Sequence, residues 1–275
     1  MASPIWFVNF LKFIFPTRKP VARLSRIPPV GFLMDKTIFN GDEMVYLPKD
    51  RVAVGEAVNP AGSTVLPSAV VDHFIQQASY HFIMNFCICR DGDDCKAYPH
   101  DLGCIFLGEA VMRINPKMGR MVTRDEALAH ARRARELGLV HLIGRDRVDS
   151  IWLGTGPVSR LMTICNCCPC CCLYRILPDL HPQISQRIQR MPGVRVEVDP
   201  LACIGCGKCV RSGCFVDALT LVDGIAQVSE ACRGCGRCVE VCPRQAIHLT
   251  IQDRGYIQKT IQRISTLVDV NGHKG

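Results

Sequence analysis

The chain begins with no charged leader, long apolar segment and small-residue cleavage site, so nothing in it asks for an oxidising destination. It has no apolar run of the ~20 residues that a spanning helix needs; "IWFVNFLKFIFP", Ile5 to Pro16, is well short of that. A phosphate-binding glycine loop, a dinucleotide fingerprint and a Ser/His/Asp arrangement are all missing. No catalytic side chain is therefore assigned, and any chemistry has to occur at a bound centre. Acidic residues are missing from positions 1–34, where Lys12, Arg18, Lys19, Arg23 and Arg26 stand unopposed. In a chain of net charge +8, this arm prefers an anionic surface. The basic residues elsewhere show little aromatic interleaving, which speaks against nucleic acid as a partner.

Cysteine is what the chain has in excess: 18 of 275 residues. Many stand too close in sequence to bridge one another without strain. In a reducing cytoplasm such thiols bind metal, and a cytoplasmic location is expected. Ten lie in the first part: Cys87, Cys89, Cys95 and Cys104, then Cys165, Cys167, Cys168, Cys170, Cys171 and Cys172 within "TICNCCPCCCLYR". A cubane cluster or a zinc ion takes four protein ligands, so the second group exceeds the need of one ordinary centre. Successive strand residues point opposite ways, so this run cannot face one atom unless the backbone turns sharply, and Pro169 helps it turn. Two arrangements stay open: each group supplies one cluster, or the two converge on a shared multinuclear centre. Arg90 either donates charge-assisted hydrogen bonds to cluster sulfur, favouring its reduced state, or pairs with Asp91, Asp93 or Asp94.

At 275 residues the chain has room for about two domains, and its 48% hydrophobic content is enough for a core. Residues 1–34 form a basic, apolar arm with a short helix ended by Pro16. Asn9 and Lys12 share one face of it, and the helix either lies in a membrane surface, peripherally, or docks on the protein's own core or on a partner. Residues 35–177 form a cysteine-rich region of mixed helix and strand. Strands and turns are expected through "KTIFNGDEMVYLPKDRVAVGEAVNPAGSTVLP". A helix capped by Ser68 follows, with Val70, Val71, Phe74, Ile75, Ala78 and Phe82 on its apolar face. His73, Gln77 and His81 make a solvated row on its other side, and the helix delivers Cys87 and Cys89. A second helix starts with a Thr123/Glu126 capping box and stops at Gly138. Leu128, Ala131 and Leu137 face inward there, and Arg132, Arg133 and Arg135 outward. "LVHLIG" and "DSIWLGTGP" read as strand and turn. Residues 178–192 are a polar, Gln-rich helical connection, with Pro178 and Pro182 in it, to a second domain over 193–252, and 253–275 a tail.

That second domain contains an internal repeat, "CIGCGKCVRSGC" from Cys203 and "CRGCGRCVEVCP" from Cys232. Each copy is a cysteine triplet at two-residue gaps followed by a fourth cysteine. Between them a hairpin turns at Asp223-Gly224. Gly205, Gly207, Gly234 and Gly236 let the loops curl round a cube and aim backbone N–H groups at its sulfurs. Zinc ribbons instead use two separated cysteine pairs.

Over about sixty residues this half resembles the two-cluster bacterial ferredoxins. The resemblance implies an α+β fold, a small ferredoxin-like dicluster domain with a pseudo-twofold repeat in which each fourth cysteine crosses over. Cys203, Cys206, Cys209 and Cys242 would hold one 4Fe-4S cluster, and Cys232, Cys235, Cys238 and Cys214 the other. The first copy departs from the pattern: Val210, Arg211, Ser212 and Gly213 fill a longer gap before Cys214, and Phe215 stands where Pro is usual. A bulge at Gly213 is expected to absorb the extra residue. The whole cysteine pattern also resembles 4Fe-4S binding proteins of anaerobic bacteria, which implies the cofactor and not a reaction. The dense stretch is similar to the CCG motifs of heterodisulfide-reductase subunits, but its spacing differs and their activity is not transferred.

Two functions follow as expectations. One is an iron-sulfur electron-transfer protein with at least one further centre in the first part, working with a redox partner or inside a larger complex. The other is a reductase whose first-part centre binds substrate; it predicts a cavity beside Cys165 to Cys172.

Overall fold

Short β-branched and aromatic runs build a sheet in the first part of the chain. The computed structural model describes residues 2–53, 66–252 and 255–272. Its seven first-part strands are β1 (Glu43–Tyr46), β2 (His81–Met84), β3 (Ile105–Leu107), β4 (Gly119–Val122), β5 (Val140–Arg145), β6 (Met162–Cys167) and β7 (Ile188–Arg190). They lie in the order β4-β2-β3-β6-β5-β1-β7, antiparallel throughout except for the parallel pair β1 and β7. Strand alternation sorts the core into two layers. Ile83, Ile105, Leu107 and Ile164 pack toward the helices Ser68–Gln77, Arg124–Glu136 and Tyr256–Leu267. Phe82, Met84 and Phe106 face the other way, toward Val8, Trp152 and Leu153. A strand covered on both faces is apolar throughout, and all four residues of β2 are buried.

In the second part, β8 (Val194–Val198) pairs antiparallel with β11 (Ile247–Ile251), and β9 (Leu219–Val222) with β10 (Ile225–Val228). Asp223 and Gly224, both at positive φ, make the expected two-residue turn. Val194, Leu219, Ile247 and Leu249 belong to the same buried cluster as Ile143 and Ile164 of the first sheet. One core thus runs beneath both regions, in a mixed helix-and-strand fold.

Several local expectations are corrected. The helix after Ser68 ends at Gln77; Phe82 and His81 lie on β2, where the His81 ring meets the Ile75 carbonyl at 2.6 Å, so the polar row is broken. Ser68 is the first helical residue and not the cap: its N–H donates to the Asp50 carboxylate at 2.9 Å. Cys87 and Cys89 are delivered by β2 and a short helix, Ile88–Gly92. The Thr123/Glu126 capping box and the positive-φ stop at Gly138 are present. The buried face of that helix is Ala127, Ala131 and Ala134, while Leu137 is exposed and Leu128 half-buried, because small residues let the helix approach closely. Arg133 and Arg135 are bonded to Asp101 and Asp72, and Arg132 is exposed. "DSIWLGTGP" lies largely in a helix, Arg147–Leu153, started by the Asp146 side chain and stopped by left-handed Gly154. Residues 178–192 hold a short helix, Pro182–Ser185, and the edge strand β7. Around β1, Asp35–Phe39 and Asp50–Ala53 are helical; the strand-and-turn expectation over 54–65 lies outside the described residues.

The arm docks on the protein's own core. Its helix Ile5–Ile14 breaks at Pro16 into a tight turn, and Val8, Phe15 and Ala22 are buried. Lys12 reaches Asp91 at 2.6 Å, Arg18 grips Asp93, and Arg23 reaches Asp179 at 2.8 Å. Gly92 lets the arm sit this close, since a Cβ there would lie 2.5 Å from the Cβ of Phe15. The outward side remains apolar, with Trp6 70% and Phe13 83% exposed. No helix among the described residues is long and apolar enough to cross a membrane.

Candidate metal centre

In the second part the repeat folds into two thiol-lined hollows. Cys203, Cys206, Cys209 and Cys242 line one; Cys214, Cys232, Cys235 and Cys238 line the other. Each hollow therefore takes three thiols from one copy and the fourth from the other. The loops need their glycines: Gly205 sits at φ +64°, and a Cβ on it would stand 2.4 Å from the Gly224 carbonyl oxygen. Backbone N–H groups point at sulfur, from Ala218 to Cys214 (3.2 Å), Ala246 to Cys242 (3.3 Å), Gly234 to Cys232 (3.4 Å) and Ala226 to Cys203 (3.5 Å). The two fourth cysteines are thus held alike, each by the amide four residues on. The extra residue of the first copy is absorbed in a wide turn over Cys209–Gly213, in which the Cys214 N–H donates to the Cys209 carbonyl at 3.1 Å. The second copy has a helix, Arg237–Val241, at that place.

Burial pushes the Cys232 thiol up to about 11 and raises Cys235 and Cys238 as well. Such thiols do not ionise together unaided. A metal core that supplies the compensating charge does ionise them, so the all-sulfur donor set, the N–H···S bonds and the glycine cradle fit iron-sulfur clusters.

The ten cysteines of the first part come together in two groups that cut across their order in sequence. Cys165 and Cys167, two apart on β6, join Cys172, Cys87, Cys89 and Cys104 around a cavity of about 340 Å³. Within it the Cys104 and Cys165 sulfurs are 3.7 Å apart, and Cys167 is hydrogen-bonded to both Cys165 and Cys172. The Cys89 thiol bonds Cys87 and brings it down to about 7 against the effect of burial, helped by Arg90. The remaining four, Cys95, Cys168, Cys170 and Cys171, have all their sulfurs within 4.8 Å of one another. Cys168 also lines the cavity. Alternation along the crowded run, with the turn at Pro169, is what sends its six thiols two ways.

Arg90 lies between these groups, fully buried. It donates to the Asn166 carbonyl at 2.9 Å and to the Leu102 carbonyl, and faces Cys87, Cys168 and Cys104. The alternative pairing with its acidic neighbours is overturned: Asp91 bonds Lys12 and His100, Asp93 bonds Arg18, and Asp94 bonds Lys96.

A junction joins the cavity to the second hollow. The Tyr46 hydroxyl lies 3.8 Å from the Cys167 sulfur and 3.9 Å from that of Cys172, and its ring packs at 4.9 Å on Phe215. Arg237 stands over Phe215 at 5.4 Å and donates to the Cys167 carbonyl. Its Nε and Nη1 are buried without a partner. Burial alone would lower its pKa, but Cys235, Tyr46, Cys167 and Cys172 together hold it above the usual value. A buried cation with spare donors, between two sets of thiols, suits anionic centres on both sides. This junction is not legible in the sequence, where Phe215 in place of Pro is its one visible mark. Asp146 and Asp149 on the cavity wall are not legible there either. Burial raises both carboxyls, and Tyr174 donates to Asp146 while Thr163 donates to Asp149.

Residues 195–243 match the family model of the 4Fe-4S dicluster domain. No curated protein and no solved structure matches the chain. The match and the thiol groups together make this an iron-sulfur protein whose C-terminal part is a 4Fe-4S dicluster domain.

Proposed function

We propose that the protein transfers electrons through two 4Fe-4S clusters in a pseudo-twofold dicluster domain, residues 193–252, to a third iron-sulfur centre in the region 35–177. Cys203, Cys206, Cys209 and Cys242 would hold one cluster; Cys232, Cys235, Cys238 and Cys214 would hold the second. Cys87, Cys89, Cys104, Cys165, Cys167 and Cys172 would hold the third centre. Bound there, such clusters supply one-electron transfer, at potentials that span roughly −700 to +450 mV with charge, hydrogen bonding and exposure.

The observation that carries this reading is the junction, where Tyr46, Phe215 and Arg237 fill the space between Cys235 and the pair Cys167 and Cys172 with packed, polarisable atoms and one fixed positive charge. A cation there favours an electron on either side, because each added electron makes a centre more negative. The arm lines one side of the cavity with Phe7, Leu11 and Phe15. Leu201 and Ile204, 96% and 60% exposed beside the first hollow, offer an apolar footing for a redox partner protein. The outward apolar side of residues 1–34 supports a second contact, with a membrane surface or another subunit.

Anaerobic purification followed by iron and sulfide analysis tests the proposal. About twelve irons per chain or more is expected, and about eight would confine the clusters to the dicluster domain. The cavity itself favours one other reading, a reductase that admits a small apolar molecule beside the six thiols. Candidate substrates would then perturb the spectrum of the reduced first-part centre, and a pure carrier would show no change.

A further inference from the structure

We propose that Cys95, Cys168, Cys170 and Cys171 hold a single tetrahedral zinc ion, separate from every iron-sulfur centre of the chain. The spacing of the sulfurs selects a single ion. All four lie within 4.8 Å of one another, and those of Cys95 and Cys170 are 3.5 Å apart. Four thiolates at ~2.3 Å from one tetrahedral ion stand ~3.8 Å from each other. A cube spreads its four thiolates wider, because each ends on a different iron.

The C-terminal hollows serve as a control inside the same molecule. Their quartets carry the cluster motif and, among the described residues, neither is drawn together in this way. Round the cavity Cys104 and Cys165 come close as a pair, but among the described residues no three of its six thiols are mutually this close. Closeness is therefore a property of this quartet and not of cysteine-rich sequence in general.

The donor set is all sulfur, with no carboxylate, imidazole or open position, as in structural zinc sites and unlike catalytic ones. The surrounding groups hold the ligands in place. The Cys171 N–H donates to the Cys168 sulfur at 3.3 Å. Arg175 donates to the Pro169 carbonyl at 2.5 Å and so fixes the turn between Cys168 and Cys170. The His100 ring meets the Cys95 carbonyl and the Asp91 carboxylate, each at 2.8 Å. Four thiolates on Zn²⁺ leave a net negative site, and the buried Arg90 faces it at Cys168.

Zinc is redox-inert, so its role is mechanical. It clamps the loop that follows Cys87 and Cys89 to the loop between Cys167 and Cys172, and thereby sets the spacing of the cavity thiols. Three of the ligands are buried and Cys170 is exposed, which gives the ion its way in.

The test is X-ray absorption at the zinc edge, with zinc and iron analysis, on the full chain purified without oxygen, as wild type and as Cys170→Ser. Wild type should carry about one zinc surrounded by four sulfurs at ~2.3 Å. The exposed position of Cys170 makes that variant tolerable to the fold. It should release zinc to a chelator at least tenfold faster while its iron and sulfide stay unchanged. A zinc-free wild type, or a Cys170→Ser chain that keeps its zinc and loses about four irons, would overturn the proposal. A single iron with four sulfurs would overturn the choice of zinc. None of these readings depends on electron transfer: the zinc result stands even if the dicluster domain carries no current, and electron transfer stands even if the zinc is absent.

Discussion

In the C-terminal part each thiol quartet is written as a local motif, three cysteines at two-residue gaps with a fourth from the other copy. In the first part the sulfurs that meet are brought together by the sheet. Cys104 follows directly before β3, Cys165 lies on β6, and the pairing of Ile105 with Ile164 places the two side by side. The difference concerns robustness. A loop with its own glycines and N–H···S bonds needs little beyond itself to wrap a cluster, whereas the cavity thiols depend on strand register, on the arm and on the clamp at Cys95.

The strongest way to break this comparison is to remove one ligand on each side. Cys235→Ser should cost about four irons per chain and one dicluster signal, since a cube needs its fourth thiolate. Cys172→Ser should leave both dicluster signals intact and abolish only the first-part centre. Iron analysis with low-temperature paramagnetic resonance reads both outcomes, and loss of all iron from Cys172→Ser would show that the two parts are not separable.

Next in size is Arg237→Gln, which removes the cation from the junction. Potentials of the adjoining centres should fall, because the reduced and more negative state loses its partner; the Cys203 quartet, on the other side, should move least. A redox titration checks this, and equal shifts at all centres would contradict a local role. Tyr46→Phe sharpens the same point: it keeps the ring on Phe215, removes the hydroxyl near Cys167 and Cys172, and should disturb the first-part centre alone.

A smaller effect concerns pH. Burial, and then the neighbouring Asp146, raise Asp42 to about 9 from its ordinary 3.8. The folded protein therefore binds a proton there that the unfolded chain has released, and the stability that this proton carries is present below about pH 4 and lost as pH rises toward 9. Asp42→Asn should flatten that slope, leaving the variant more stable than wild type at pH 8 by on the order of 1 kcal/mol or more. Denaturant melts at pH 6 and pH 8 measure it; parallel pH profiles for the two proteins would refute it. The smallest effect is that of Thr123→Ala, which removes the capping box and should cost about 1 kcal/mol with no change in bound iron.

The same contrast explains what the sequence disclosed. The dicluster quartets, the Asp223-Gly224 turn and the Thr123 cap rest on residues close in the chain, and each was legible. The division of Cys165 to Cys172 between two groups was half legible: alternation said that one atom could not take them all, but not which distant cysteines would meet them. Tyr46 could not be found this way, because its partners Cys167, Cys172 and Phe215 lie more than a hundred residues on. The helix over 147–153 was missed for a nearer reason, since its Asp146 cap and Gly154 stop bracket a run that strand propensity alone describes as β.

The central claim is that dicluster iron communicates with iron held at the cavity thiols. The direct measurement is low-temperature electron paramagnetic resonance of the oxygen-free protein during stepwise reduction with dithionite. Cluster signals should broaden and split as neighbouring centres fill, with the splitting changed in Arg237→Gln. Isolated, unsplit signals from the dicluster domain alone, or a colourless protein with no signal, would contradict the claim.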